Sequence, residues 1–193
     1  LALDVGNTDS VIGIFKDSIL MYEKRVPTST ILQFLLKQKK QFKRVQSIII
    51  SSVVPRLDTR LKNFFKKTLK VKKLIFVSPR IKMPIHLKVD DPKEVGADRI
   101  VNNSAAFVRY NGPLLVIDFG TATTIDYIDK KGAYRGGMII PGLKISAEAL
   151  FSKAAKLRSI PLQATKKILG QNTKTQLQSG IVTSYVLMME ILI

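Results

Sequence analysis

A chain of 193 residues, 46% of them hydrophobic, can build one large domain or two small ones around a real core. It has no cysteine, which excludes disulfides and thiolate metal sites, and no apolar run approaches the roughly 18 uncharged residues of a membrane helix. The net charge of +18 raises nucleic acid as a partner, yet Lys37 to Arg44 and Arg56 to Lys73 spread their charge over helix-like segments, without one block interleaved with aromatics. A lysine-rich solvated surface, binding polyanions weakly and salt-sensitively, is the expectation. No basic leader precedes the strand-like Leu1-Ala2-Leu3, so a cytoplasmic place is expected.

The chain opens with three predicted strands: residues 1–4, Ser10 to Phe15, and Ile19 to Val26, the last two joined by the turn Lys16-Asp17-Ser18. Pro27-Thr28-Ser29-Thr30 offers helix caps, and Ile31, Phe34 and Leu35 recur at helical spacing up to about Gln38. The β-branched run from Ser47 to Ser51 reads as a buried parallel strand. Leu57, Leu61, Phe64, Phe65 and Leu69 form the apolar face of a basic helix after Pro55, and Leu74 to Val77 is a further strand. The first half is thus β-β-β-α-β-α-β, a mixed sheet with helices on its faces.

Met83 to Val89 is expected to be extended, with His86 on an edge, and a single histidine cannot assemble a histidine metal site or a catalytic dyad. A helix from Ala97 carries Ile100, Val101, Ala105, Ala106 and Val108 toward Tyr110, and Asn111-Gly112-Pro113 stops it, placing a domain boundary between residues 113 and 114. The second half, 114–193, repeats the opening meander: Leu114 to Asp118, Thr123 to Ile128, a turn at Asp129 to Gly132, and a strand near Tyr134 to Ile140. A helix from about Leu143 to Lys156 follows, with Ile145, Leu150 and Ala154 as expected core residues. Ser159 to Leu162 is read as extended, and 178–193 as an apolar helix.

The chemistry concentrates in a repeated pattern. Asp4-Val5-Gly6-Asn7-Thr8 and Asp118-Phe119-Gly120-Thr121-Ala122-Thr123-Thr124 each follow a short apolar run, put an Asp where it ends, and turn through a Gly into hydroxyl or amide residues. An Asp at a strand end can hold a hydrated cation, and such a turn offers backbone N–H groups and hydroxyls to phosphate oxygens. Each alone could be a simple hairpin; two facing each other would clamp a polyphosphate and its metal. Gly96-Ala97-Asp98-Arg99 sits where a loop enters a helix. Asp98 there is either a first-turn acid favoured by the helix dipole, or the acceptor of a substrate hydroxyl's proton beside an anion-gripping Arg99. Gly136-Gly137 marks either a close backbone approach to a ligand or a bulge.

Six stretches resemble the type III pantothenate kinases of the actin, sugar-kinase and heat-shock ATPase superfamily, in the family's order and over nearly the whole chain. They are 4–8 (DVGNT), 51–55 (SSVVP), 91–102 (DPKEVGADRIVN), 118–126 (DFGTATTID), 134–146 (YRGGMIIPGLKIS) and 170–181 (GQNTKTQLQSGI). The resemblance implies an α/β fold of two ribonuclease-H-like halves, each with a mixed five-stranded-type sheet opened by an antiparallel meander, and the second half incomplete. It implies ATP-dependent phosphorylation of pantothenate to 4′-phosphopantothenate by a homodimer. In this likeness Asp4, Val5, Gly6, Asn7, Thr8, Asp9, Ser10 and Val11 form the first ATP-phosphate loop, with Asp4 near magnesium. Asp118 resembles the carboxylate that binds an activating monovalent cation, potassium or ammonium, and Thr121 the ATP-contacting threonine of the second loop. Gly96, Ala97, Asp98 and Arg99 resemble the pantothenate-contacting segment, with Asp98 as general base, and Thr173 a further substrate contact. A non-catalytic relative that binds nucleic acid is the alternative.

The chain departs from the family pattern at Val89, where many members have a substrate-contacting tyrosine, and at Ser10 and Val11, where some carry a basic residue. It also lacks an initiating Met and stops within an apolar helix. From that stop the expectation is a second domain short of the strands that flank adenosine, and hence weak nucleotide binding.

Overall fold

The computed structural model describes residues 1–192; Ile193, which the sequence places in the last helix, lies outside them. The chain packs as two compact units, one of Leu1–Leu114 with Tyr127–Gly136, the other of Leu115–Asp126 with the chain from Gly137 onward. The tip formed by the end of one predicted second-half strand and the start of the next therefore belongs with the first unit.

The first unit is built on β1 (Ala2–Val5), β2 (Asp9–Lys16), β3 (Ile19–Pro27), β4 (Ser47–Ser52) and β5 (Lys73–Phe76), in the order β3-β2-β1-β4-β5. β1 runs antiparallel to β2 and parallel to β4, and β4 runs parallel to β5. Asp17 and Ser18 join β2 to β3 with φ of 49° and 68°, the two left-handed residues that let a two-residue turn follow the strands' twist. Side chains alternate along β1 and β4: Leu3, Val5, Ile48 and Ile50 enter one core with Ile31 and Leu35 of α1 (Ile31–Lys37) and Leu61 of α2 (Pro55–Asn63). Phe64 and Phe65 join that core from a π-helical turn that prolongs α2 over Phe64–Thr68. The opposite face carries Ala2, Asp4, Ile49 and Ser51, which share register positions.

A second sheet has the order β6-β9-β8-β7, from β6 (His86–Leu87), β7 (Leu114–Phe119), β8 (Ala122–Ile128) and β9 (Ala133–Pro141). The predicted second set of three consecutive strands is present, and His86 does lie on an edge strand, paired in parallel with Ala133. The mixed α/β architecture expected from the sequence is therefore found, with sheets of five and four strands. α3 (Ala97–Tyr110) lies against β4 and buries Ala97, Ile100 and Asn103, while Val101 and Val108 stay exposed. Asn111 ends it with a positive φ of 57° and an extended ψ of −178°.

Three expectations need correction. α4 (Leu143–Lys153) buries Ala147, whereas Ile145 and Leu150 are exposed: apolar residues at helical spacing identify a face but not what covers it. Ser159 to Leu162 joins no sheet. The terminal helical region starts earlier than Gln178, as α5 (Thr173–Gln178), a π-helical turn (Ser179–Thr183) and α6 (Ser184–Leu192). The reason is a capping box, in which Asn172 and Thr175 satisfy each other's backbone N–H groups ahead of the apolar run. Among the described residues, no helix is long and apolar enough to cross a membrane.

Candidate functional site

In the first unit β1 delivers Asp4 to the exposed face and sends Leu3 and Val5 into the core. Gly6 then turns the chain, its N–H donating to the Asp9 carbonyl at 3.0 Å. A Cβ on Gly6 would stand 2.9 Å from that same oxygen, so the closure requires glycine. Thr28, in the 3-10 turn after β3, fastens the loop from the side. Its hydroxyl donates to the Gly6 carbonyl at 2.7 Å, and its N–H donates to the Thr8 carbonyl at 2.9 Å. Because that hydroxyl proton is committed to Gly6, the 2.8 Å contact between Thr28 Oγ1 and Ser10 Oγ has Ser10 as donor.

The expected phosphate loop divides accordingly. Asp4, Asn7 and Thr8 present exposed side chains, whereas Val5 and Ser10 are fully buried. The Gly6 N–H, which the sequence pattern offers to phosphate, is used to close the turn. Asp9 pairs with Arg25 at 3.9 Å, but both side chains are well exposed and solvent screens the pair. Val11 sits in the β2 ladder opposite Arg25. Thr28 was legible only as a helix cap, yet its side chain caps nothing in its own turn.

The Gly96–Arg99 segment forms the entrance to α3. Gly96 is the N-cap, and Asp98 folds back so that Oδ1 accepts the Arg99 N–H at 2.7 Å. A Cβ on Gly96 would lie 2.5 Å from Asp98 Oδ1 and 3.7 Å from Val53 Cγ1, so glycine makes room for the carboxylate. Val53 in turn donates its N–H to the Val5 carbonyl at 3.0 Å. The start of α3, the end of β4 and the first glycine turn therefore meet within one unit, with Asp98 half-buried among them. Ala97 is buried, and the Arg99 guanidinium lies 5.7 Å from the centre of the Tyr134 ring, a cation–π contact that the sequence reading did not foresee. Asn103 donates from Nδ2 to the Arg99 carbonyl at 2.8 Å. Val89, where the resemblance expects tyrosine, neighbours Gly136.

In the second unit Asp118 and Thr121 are exposed, and Gly120 donates its N–H to the Ala122 carbonyl at 3.1 Å. Gly142, the N-cap of α4, donates to the Thr121 carbonyl at 2.9 Å. A Cβ there would stand 2.2 Å from the Gly120 oxygen and 2.6 Å from that of Thr121, so glycine alone lets α4 start against this turn. Thr123 hydrogen-bonds the Tyr185 hydroxyl of α6. At Gly137 a Cβ would lie 2.1 Å from the Ile125 carbonyl oxygen, so the close backbone approach there is to strand β8. Thr173 is the exposed first residue of α5.

Among the described residues, no three or more His, Cys, Asp or Glu side chains converge as a metal cluster. Magnesium commonly accepts a single carboxylate together with substrate phosphates and water, and the exposed Asp4 is a donor of that kind.

A profile of the type III pantothenate kinase family matches residues 1–193. The chain belongs to this family. Members are kinases that transfer phosphate from ATP to pantothenate on the way to coenzyme A. The crystal structure of a conserved putative Baf family transcriptional activator from Campylobacter jejuni superposes with a TM-score of 0.65 at 21% identity, over 98% of this family member and 77% of that chain. That likeness is one of fold. The Aquifex aeolicus PPX-GPPA enzyme is 15% identical, with a TM-score of 0.41 over 79% of this chain and 55% of its own.

Proposed function

We propose that the chain phosphorylates pantothenate at its hydroxyl to give 4′-phosphopantothenate, with ATP as donor and Asp98 as general base. The observation that carries this reading is the fixed carboxylate at the α3 N-terminus, with Oδ1 tied to the Arg99 N–H at 2.7 Å. That bond leaves Oδ2 to accept the substrate hydroxyl's proton as the oxygen bonds the γ-phosphorus and ADP departs. Gly96 and Ala97 present backbone to the substrate, Arg99 meets its carboxylate, and Thr173 is a further contact. Asn7, Thr8 and Thr121 meet the ATP phosphates. Magnesium, when bound, supplies charge neutralisation on the phosphate oxygens; Asp4 is the side chain that would hold it, and Asp118 would hold potassium or ammonium.

The working unit in this reading is a homodimer. Val101 and Val108, two turns apart on one face of α3, are both exposed, Val108 at 66%, and a second subunit would cover them.

Asp98→Asn tests the assignment. Pantothenate binding measured by calorimetry is retained, and turnover in an ADP-coupled assay falls about a hundredfold or more. Near-normal turnover would refute Asp98 as the base. A second reading, a nucleic-acid-binding protein on the same fold, draws on the net charge of +18 and on the name of the Campylobacter jejuni relative. Filter binding to DNA decides it: sub-micromolar affinity that survives about 200 mM salt favours that reading over the kinase.

A further inference from the structure

Ser51 ends the exposed-face row of β4 directly opposite Asp4. The two residues are register partners on adjacent parallel strands, so their side chains leave the same face of the sheet, from backbones about 4.8 Å apart. Ser51 is only 6% exposed, and its hydroxyl has no hydrogen-bond partner among the described residues. A hydroxyl withdrawn from water and left unpaired costs stability, so such a group in a folded protein calls for an explanation. The neighbouring serine shows the contrast: Ser52 Oγ donates to Asp58 Oδ1 at 2.6 Å and accepts the Val54 N–H at 3.2 Å, which braces the start of α2. Ser52 is a structural hydroxyl with its bonds made. Ser51 is the same chemical group one residue earlier, turned to the face that carries Asp4, with its bonds unmade.

We infer that Ser51 is a positioning residue for the hydrated divalent cation of the nucleotide. Its hydroxyl hydrogen-bonds a water of the shell that the Asp4 carboxylate holds, and so fixes where that shell sits at the end of β1. The inference rests on the reading of Asp4 as the magnesium-bearing residue. The chemistry is one that serine supplies well: a small neutral hydroxyl donates to or accepts from a coordinated water without adding charge. Partial burial strengthens that bond, since bulk water cannot compete for it.

The test separates a ligand-directed hydroxyl from a structural one. On the full chain, manganese stands in for magnesium, and its binding in the presence of ADP is followed by electron paramagnetic resonance beside thermal melts without ligand. Ser51→Ala is expected to melt within about a degree of wild type or slightly higher, because it deletes an unsatisfied group, while manganese affinity in the ADP complex falls about tenfold. Ser51→Cys, which fills the space with a slightly larger group but gives up the strong hydrogen bond, is expected to behave as Ala does in manganese affinity, and covers the case in which Ala leaves a void. Ser52→Ala is expected to do the reverse, lowering the melting temperature and leaving manganese affinity unchanged. Manganese affinity within twofold of wild type in both Ser51 variants would overturn the inference, as would a melting loss at Ser51 like that at Ser52. If wild type itself binds no manganese in the presence of ADP, the kinase reading of Asp4 fails first and takes this inference with it.

Discussion

Thr28→Val measures how much the first glycine turn depends on a residue outside it. Valine keeps the shape of threonine and removes one oxygen, so no cavity forms and the effect is one of hydrogen bonding. That oxygen donates to the Gly6 carbonyl at 2.7 Å and accepts from Ser10 Oγ at 2.8 Å. Losing two bonds costs about 1 kcal/mol each, and the Ser10 hydroxyl, at 0% exposure, is left without a partner or water, for a total of about 2–4 kcal/mol. Urea denaturation reads this as a lower midpoint with an unchanged slope. Ser10→Ala alone costs about 1 kcal/mol, since Thr28 keeps its bond to Gly6. In the double variant no orphan hydroxyl remains, so its cost falls short of the sum of the singles by at least about 1 kcal/mol. A Thr28→Val loss below about 0.5 kcal/mol, or strict additivity with Ser10→Ala, would refute the account of Thr28 as the fastener of the loop.

Gly96→Ala places a Cβ against Asp98 Oδ1, a side chain that can swing away, so folding stability measured in urea changes by about 1 kcal/mol or less. Turnover nevertheless falls about a hundredfold, because the carboxylate is pushed by about an ångström. Gly142→Ala meets backbone oxygens that cannot swing, and its unfolding free energy measured in urea drops by about 1–3 kcal/mol or more. The Ala133 N–H holds the Asp129 carboxyl below its usual range against the opposing pull of burial, with help from the Arg135 side chain and the Lys131 N–H. A folded-state pKa depressed in this way adds stability above the ordinary carboxylate pKa, and that stability is lost as the pH falls through the folded value. Asp129→Asn is therefore less stable than wild type at neutral pH, and thermal melts of the two converge in acid.

The fold was legible where local chemistry and burial agree. Alternation along β1 and β4, the Asp17-Ser18 turn and the apolar face of α2 each specify their element from within a few residues. The α4 core was not legible, because Ile145 and Leu150 fit helical spacing as well as Ala147 does, and only tertiary packing decides which face is covered. At the candidate site, Asp98 and Gly96 stand in one short motif and could be read together. Thr28 and Ser51 could not be, since each depends on pairing with a distant segment: Thr28 reaches Gly6 and Ser10, and Ser51 acquires its meaning from register with Asp4. Tyr134 likewise meets Arg99 through the tertiary fold alone.

The repeated Asp-x-Gly pattern carries a more specific message in the structure than it does in the sequence. In both copies the glycine's own N–H closes the turn onto the first residue of the next strand, Gly6 onto Asp9 at the head of β2 and Gly120 onto Ala122 at the head of β8. The glycine is thus committed to reversing the chain, and what the turn can offer a phosphate must come from the residues after it: Asn7 and Thr8 in one copy, Thr121 in the other. The two copies then differ in how that offer is braced. The first is held by Thr28, through its hydroxyl and its N–H, and the second by the α4 N-terminus, which Gly142 lets sit against the turn. A helix N-terminus brings a positive dipole end and unpaired N–H groups to its surroundings, whereas a threonine side chain brings neither. The second turn therefore has a positive dipole end in its own brace, whereas at the first the nearest helix start, that of α3, reaches the turn only through Val53 and Val5.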